Sequence, residues 1–134
     1  MNSIITKRFD LVEEWLLASS VVVSYEIIRR DISLLDGKFR IKVTFSDDSS
    51  AELFEYATIS KASIHILKYS SHWQDKNGNL INRWDNAPHH PDLLGAPHHR
   101  HNSDQSVSGI SVFLEMLEVL KMMENIIYRR YTTV

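Results

Sequence analysis

Residues 38–46, KFRIKVTFS, alternate apolar and polar side chains with the two-residue period of a β-strand. Phe39, Ile41, Val43 and Phe45 share one face, and Arg40, Lys42 and Thr44 take the other. A strand buried on one face needs neighbours, and the flanking sequence supplies them through tight reversals. Asp36-Gly37 is a two-residue hairpin signal, because a type I′ turn wants positive φ at both central positions. A reversal there sets Ile32 against Ile41, Leu34 against Phe39 and Asp31 against Lys42. That register keeps the apolar set on one side and a salt pair on the other. The β-branched run 21–33 is then a strand, SDDSS turns the chain into another over 51–58, and 61–74 follows. The loop length before 51–58 leaves the face of Glu55 open.

KNGN turns the 61–74 strand back into LINRWDN. With Asn77-Gly78 as a two-residue turn, His72 sits opposite Arg83 and Ser70 opposite Asp85. These four share a face with Gln74, Lys68 and Ile81, while Tyr69, Trp73, Leu80, Trp84 and Leu67 share the other. One face is aromatic and packed; the other presents a histidine, an arginine and an aspartate together. A one-residue slip would flip all of them.

The chain ends read as helices. KRFDLVEEWLLAS, residues 6–18, places Phe9, Val12, Trp15 and Leu16 at helical spacing. A long helix is expected over about 107–130, capped by Ser106 or Ser108. Its core stripe is Ile110, Phe113, Leu117, Leu120, Met123 and Ile127, widened by Val112, Met116, Val119 and Met122. A helix this apolar is covered on more than one side, by the sheet and by the N-terminal helix, a second subunit or a partner protein. The expected fold is α+β: a single domain with a five-stranded, mainly antiparallel meander sheet, a short N-terminal helix and a long C-terminal helix packed on it.

Composition narrows the function classes. A chain of 134 residues with 43% hydrophobic and 24% charged residues can bury a real core. The absence of cysteine removes thiolate zinc sites and cysteine nucleophiles. A net charge of −2 argues against broad nucleic-acid binding. MNSIITKRFDLVEEWL has acids inside its apolar run and no cleavage-site pattern, so it does not read as a signal peptide. No apolar run reaches the roughly 18 residues of a membrane span, so the expectation is a cytoplasmic protein without membrane association.

Five of the seven histidines lie in RWDNAPHHPDLLGAPHHRH, Arg83 to His101, with all three prolines. Proline at 88, 91 and 97 limits backbone freedom and pre-places imidazoles at low entropic cost. Two imidazoles and an arginine suffice for metal-free RNA cleavage. One ring deprotonates the 2′-hydroxyl, the other protonates the leaving oxygen, and the guanidinium holds the phosphate. The candidate catalytic set is His72, Arg83, Asp85, His98, His99 and His101, with Asp85 orienting a histidine. Arg100, Trp84, Asn86, His89 and His90 are candidate substrate contacts. The competing reading is a divalent metal held by His89, His98, His99 and His101 with Asp85 or Asp92, although no recognised zinc motif such as HExxH is present. No cofactor is favoured. Bland readings stand beside these: Trp73 and Trp84 as core, His65 as a structural histidine in an apolar strand, Asp85-Asn86 as a turn cap, Arg83 paired only with Asp85, and the histidine-rich stretch as a solvated connection.

YSSHWQDKNGNLINRWDNAPHHPDL followed by PHHRH resembles the central signature of the TumE-like toxin family of toxin–antitoxin modules. An aromatic-rich hairpin there ends in an Arg-Trp-Asp-Asn-Ala-Pro-His-like run, followed by a Pro-His-His-Lys-His-like run. Tyr69, His72, Trp73, Gly78, Arg83, Trp84, Asp85, Asn86, His89, His98, His99 and His101 fall on those positions, and Arg100 keeps the charge of the usual lysine. EYATISKASIHILKY is similar too, with Glu55 where a glutamate is expected. The resemblance covers residues 51–101 well, and the two ends of the chain only in kind. It implies a small bacterial or archaeal toxin encoded beside an antitoxin, often a helix-turn-helix DNA-binding protein. Ribonuclease activity, with RNA as substrate, comes from the residues rather than from the resemblance. A non-enzymatic partner-binding module is the third reading, and self-association through the C-terminal helix is open.

Overall fold

The computed structural model describes residues 3–87, 97–109 and 114–132. Helix α1 (Ser3–Ala18) leads into strands β1 (Val22–Ile32), β2 (Asp36–Phe45), β3 (Ser50–Ser60), β4 (Ser63–Gln74), β5 (Leu80–Asp85), β6 (His99–Asn102) and β7 (Val107–Gly109), and helix α2 (Met116–Thr132) follows. The strands form one antiparallel sheet in sequence order. The fold is the expected α+β meander between two helices, but it has seven strands rather than five. The two extra strands come from segments read as loop and helix. The PHHRH run enters the sheet as β6, and Val107–Gly109, expected to open the long helix, pairs with it as β7. Ser106 and Ser108 therefore do not cap a helix; both accept N–H groups of the Asn102 side chain instead. Ile110, Val112 and Phe113 of the expected stripe lie outside the described residues.

Both helices lie on one sheet face. From α1, Ile5, Phe9, Val12 and Leu16 are buried against Phe39, Ile41, Val43 and Phe45, the stripe that alternation in β2 predicts. Phe9 stacks on Phe39 at 4.5 Å between ring centroids. From α2, Met116, Val119, Leu120, Met123 and Ile127 join the same cluster with Trp73 and Trp84. Trp73 is fully buried, and its indole N–H donates to Ser49 Oγ at 3.0 Å. The N-terminal helix thus provides cover for the apolar α2.

The first hairpin corrects the Asp36-Gly37 turn. Asp31 pairs with Lys38 and Ile32 with Gly37, so the reversal runs through residues 33–35 and Ser33 N–H donates to Asp36 O. Gly37 serves close approach rather than positive φ. A Cβ there would meet Ile5 Cγ2 at 2.6 Å, so its bare backbone lets α1 settle on β2. In the second hairpin Gly78 does adopt φ +83°. The loop is longer than two residues, with Asp75 Oδ1 accepting the backbone N–H of both Asn77 and Asn79. A register shift between Trp73 and Gln74 then restores the expected pairing, His72 with Arg83 and Ser70 with Asp85. Leu67 falls at a bulge in β4 and is exposed rather than packed, and His65 is exposed rather than structural.

Candidate functional site

Antiparallel partners share a face, so the register sorts the candidates. On the face without helices, one row runs Lys42, Glu52, His72, Arg83, His101, and the next runs Arg40, Phe54, Ser70, Asp85, His99. The strands thus bring His72, Arg83, Asp85, His99 and His101 to one patch. Glu52, opposite His72 on β3, joins it without having been anticipated.

Asp85 is the hub. Its side chain is only 6% exposed, yet it faces three cationic or titratable groups. Arg83 Nε donates to Oδ2 at 3.1 Å, His99 Nε2 lies 2.8 Å from Oδ1, and His101 Nε2 lies 3.5 Å from Oδ2. The Ala87 backbone N–H donates to Oδ1 at 3.0 Å, which closes an Asx turn at the end of β5. A buried carboxylate needs such partners, since an isolated charge there would be costly. Asp85 is therefore a turn cap whose carboxylate also faces Arg83, His99 and His101.

The two histidines of β6 differ. His99 is buried at 1% exposure, its ring packs edge-on against His101 at 4.9 Å, and its Nδ1 lies 2.9 Å from Pro97 O. A carbonyl only accepts, so Nδ1 carries the proton and Nε2 is turned toward Asp85. His101 is 29% exposed and Arg83 39% exposed, so both reach solvent above the buried Asp85–His99 pair. On the other side of Arg83, Nη1 comes within 3.4 Å of His72 Nδ1. Arg83 therefore stands between two half-exposed imidazoles, with a carboxylate beneath.

The remaining candidates sit elsewhere. Trp84, Arg100 and Asn102 alternate onto the helix-bearing face. Trp84 is core, at odds with its expected role as a substrate contact, and Arg100 Nε is bonded to Asn102 Oδ1 at 2.9 Å rather than aimed at the patch. His98 stacks on Tyr69, and its Nδ1 lies 2.8 Å from the Tyr69 hydroxyl. Burial, together with the charge of Asp85, pushes the Tyr69 phenol up to about 12, so it stays protonated. Asn86 closes β5 onto β4, accepting from Tyr69 N–H and donating to Leu67 O at 3.1 Å each. His89, His90 and Asp92 lie outside the described residues. The PHHRH run is thus not simply a solvated connection, since His99 to His101 lie in a strand of the sheet.

Asp85, His99 and His101 each offer a donor atom within 4.8 Å of the others, a cluster able to hold a metal ion. The donor chemistry fits a borderline divalent ion. Glu55 belongs to a different place. It is buried under α1, where Arg8 Nε and Nη2 bind its carboxylate at 2.6 and 2.7 Å. Among the described residues no helix is long and apolar enough to cross a membrane.

The family model described as Toxin TumE matches residues 10–130 of the 134. No match to a curated protein or to a solved structure was found.

Proposed function

The chain belongs to the TumE toxin family, and from that premise we propose that this toxin of a toxin–antitoxin module arrests growth as an endoribonuclease using histidine acid–base chemistry. The observation that carries the reading is the row His72, Arg83, His101 on adjacent strands with Asp85 below. Arg83 grips the scissile phosphate and stabilises charge as it develops on the oxygens. His72 takes the 2′-hydroxyl proton on Nδ1, which the guanidinium frees as it turns to the phosphate. The 2′-oxygen then attacks phosphorus, and the bond to the 5′-oxygen breaks. His101, oriented by Asp85, delivers a proton to that leaving oxygen. The products are a 2′,3′-cyclic phosphate and a 5′-hydroxyl. His99 is too buried to touch substrate and packs against Asp85 from beneath. His98 has a supporting role through Tyr69.

His72→Ala, His101→Ala and Arg83→Ala are expected to lower the RNA cleavage rate of purified protein by about 100-fold or more each. They should abolish growth arrest on expression without antitoxin, while melting like the parent. Sequencing of RNA ends from arrested cells checks the products. Variants as toxic as the parent would overturn the assignment of roles.

A second reading is favoured by one observation, the convergence of Asp85, His99 and His101. A ring N–H held by a backbone carbonyl, as His99 Nδ1 is by Pro97 O, is how proteins orient a metal-ligating imidazole. Those three residues would hold a divalent ion that polarises the phosphate, with Arg83 beside it. Cleavage that survives exhaustive chelation, with no metal found by elemental analysis, decides for the metal-free route. Family membership implies an antitoxin partner; a helix-turn-helix DNA-binding protein is the proposed type. A cytoplasmic site of action is part of the same proposal.

A further inference from the structure

His72 and Arg83 stand between two polar depressions on the helix-free face. One, of about 270 Å³, is lined by Lys42, Ser50, Glu52 and Gln74. The other, of about 350 Å³, is lined by Arg40, Phe54, Lys68, Ser70 and Asn86. His72, Arg83 and Glu52 belong to both. A substrate whose reacting phosphate lies on Arg83 has neighbouring units on either side, and this surface has one hollow for each.

We propose that these depressions are nucleotide subsites flanking the scissile phosphate, and that the ligand they fit is single-stranded RNA. The inference rests on the ribonuclease reading for its orientation, and on independent observations for its chemistry. Arg40 Cζ lies over Phe54, 4.5 Å from the ring centroid, and Glu52 accepts from Arg40 Nη1 at 2.9 Å. Phe54 itself is nearly covered, whereas Arg40 is 34% exposed. The pair thus offers a part-exposed guanidinium held in place from below and from the side, and RNA bases stack on arginine side chains. Lys42 and Lys68 are exposed on the same face, one beside each hollow, and neither forms an ion pair with a described residue. Such cations suit phosphates. Glu26, opposite Lys42 on β1, and Glu52 keep the patch from being uniformly cationic. Neighbouring strands lie about 4.8 Å apart, so the path from β2 to β5 spans about 14 Å, enough for a short run of nucleotides. A single strand is favoured over a duplex because in-line attack by a 2′-oxygen requires a backbone free to leave A-form geometry. A stacked base also requires an unpaired one.

The test uses the whole protein and 2′-fluoro hexanucleotides, one for each base, which lack the attacking hydroxyl. Binding is read by fluorescence anisotropy against salt. Arg40→Ala is expected to weaken affinity about tenfold. Lys42→Ala and Lys68→Ala should each lower the slope of log affinity against log salt by about 0.7. The same strand annealed into a duplex should bind at least tenfold more weakly. Variants within twofold of the parent, or a duplex bound as tightly, overturn the proposal, provided the variants melt as the parent does. If the parent cleaves RNA and Arg40→Ala cleaves with unchanged kcat/KM, the subsites fail and the ribonuclease reading stands. If the affinities fall as expected but no RNA is ever cut, the subsites stand and the ribonuclease reading fails.

Discussion

Asp85 shows how much a single buried side chain can organise. It ends β5, accepts the Ala87 N–H and faces Arg83, His99 and His101. Asp85→Asn keeps size and turn-capping capacity but removes the charge that orients His101. Cleavage by the purified variant is expected to fall by about 100-fold under single turnover, with the fold retained by circular dichroism. Asp75 is a residue of the opposite kind, exposed and concerned only with a turn. The backbone N–H of Asn79, then that of Asn77, holds its carboxyl below the usual carboxylate range. A group with a depressed folded pKa contributes stability that is present above its unfolded value of about 3.9 and is lost as pH falls through the folded value. The stability gap between parent and Asp75→Asn is therefore expected to be largest near neutrality and to close as pH falls through the depressed folded value. Urea denaturation across the acid range measures it. Asp36, held low by Ser33 and then Tyr56, and Asp104, held low by Ser106, shift in the same direction.

At the scale of elements, α1 is tied to the sheet by Arg8. Burial opposes the charged guanidinium, but hydrogen bonds and charge from Glu55, and then Glu115, more than offset it and raise its pKa. The forked geometry spends both ends of the guanidinium on Glu55 and leaves Nη1 for Glu115 at 3.2 Å, ahead of α2. Arg8→Met would leave the Glu55 carboxylate buried without its counter-charge, at an expected cost of about 3–5 kcal/mol near pH 7. Denaturation midpoints of parent and variant at pH 7 decide it. At this scale the sheet also explains the site. β5 is flanked by β4 and β6, so Arg83 inherits a histidine from each side.

At the scale of the whole molecule, each strand pairs with its neighbours in sequence, so the sheet is built from local reversals. The helices close it from the two ends of the chain. α1 and α2 share one core and are joined by the Ser19–Glu124 hydrogen bond at 3.1 Å. A chain truncated after Gly109 loses Met116, Val119, Leu120, Met123 and Ile127, and with them the cover over that part of the core. It is expected to bind a hydrophobic dye and to melt without a cooperative transition, whereas the intact chain should unfold in one step. Calorimetry with dye fluorescence checks both. Among the described residues, no helix covers the polar ladder on the other face.

Alternation determined on its own the first five strands and the buried face of β2, because a side-chain period of two depends only on neighbours in sequence, whereas His72 meets Arg83 only because the shift between Trp73 and Gln74 offsets a loop longer than a two-residue turn. The helix at the start was equally plain in the spacing of Phe9, Val12 and Leu16. The Asp36-Gly37 reading failed because a glycine that makes room for another element carries the same letter as one that bends a turn. Likewise β6 and β7 carry no apolar alternation; the ladder already built by β5 recruits them. The separation of His98 from His99 and His101, the burial of Glu55 and the row joining Lys42, His72 and His101 were decided by tertiary structure. Each depends on bulges and loop lengths that set the register between strands far apart in sequence, and a shift of one residue reverses which face a side chain serves.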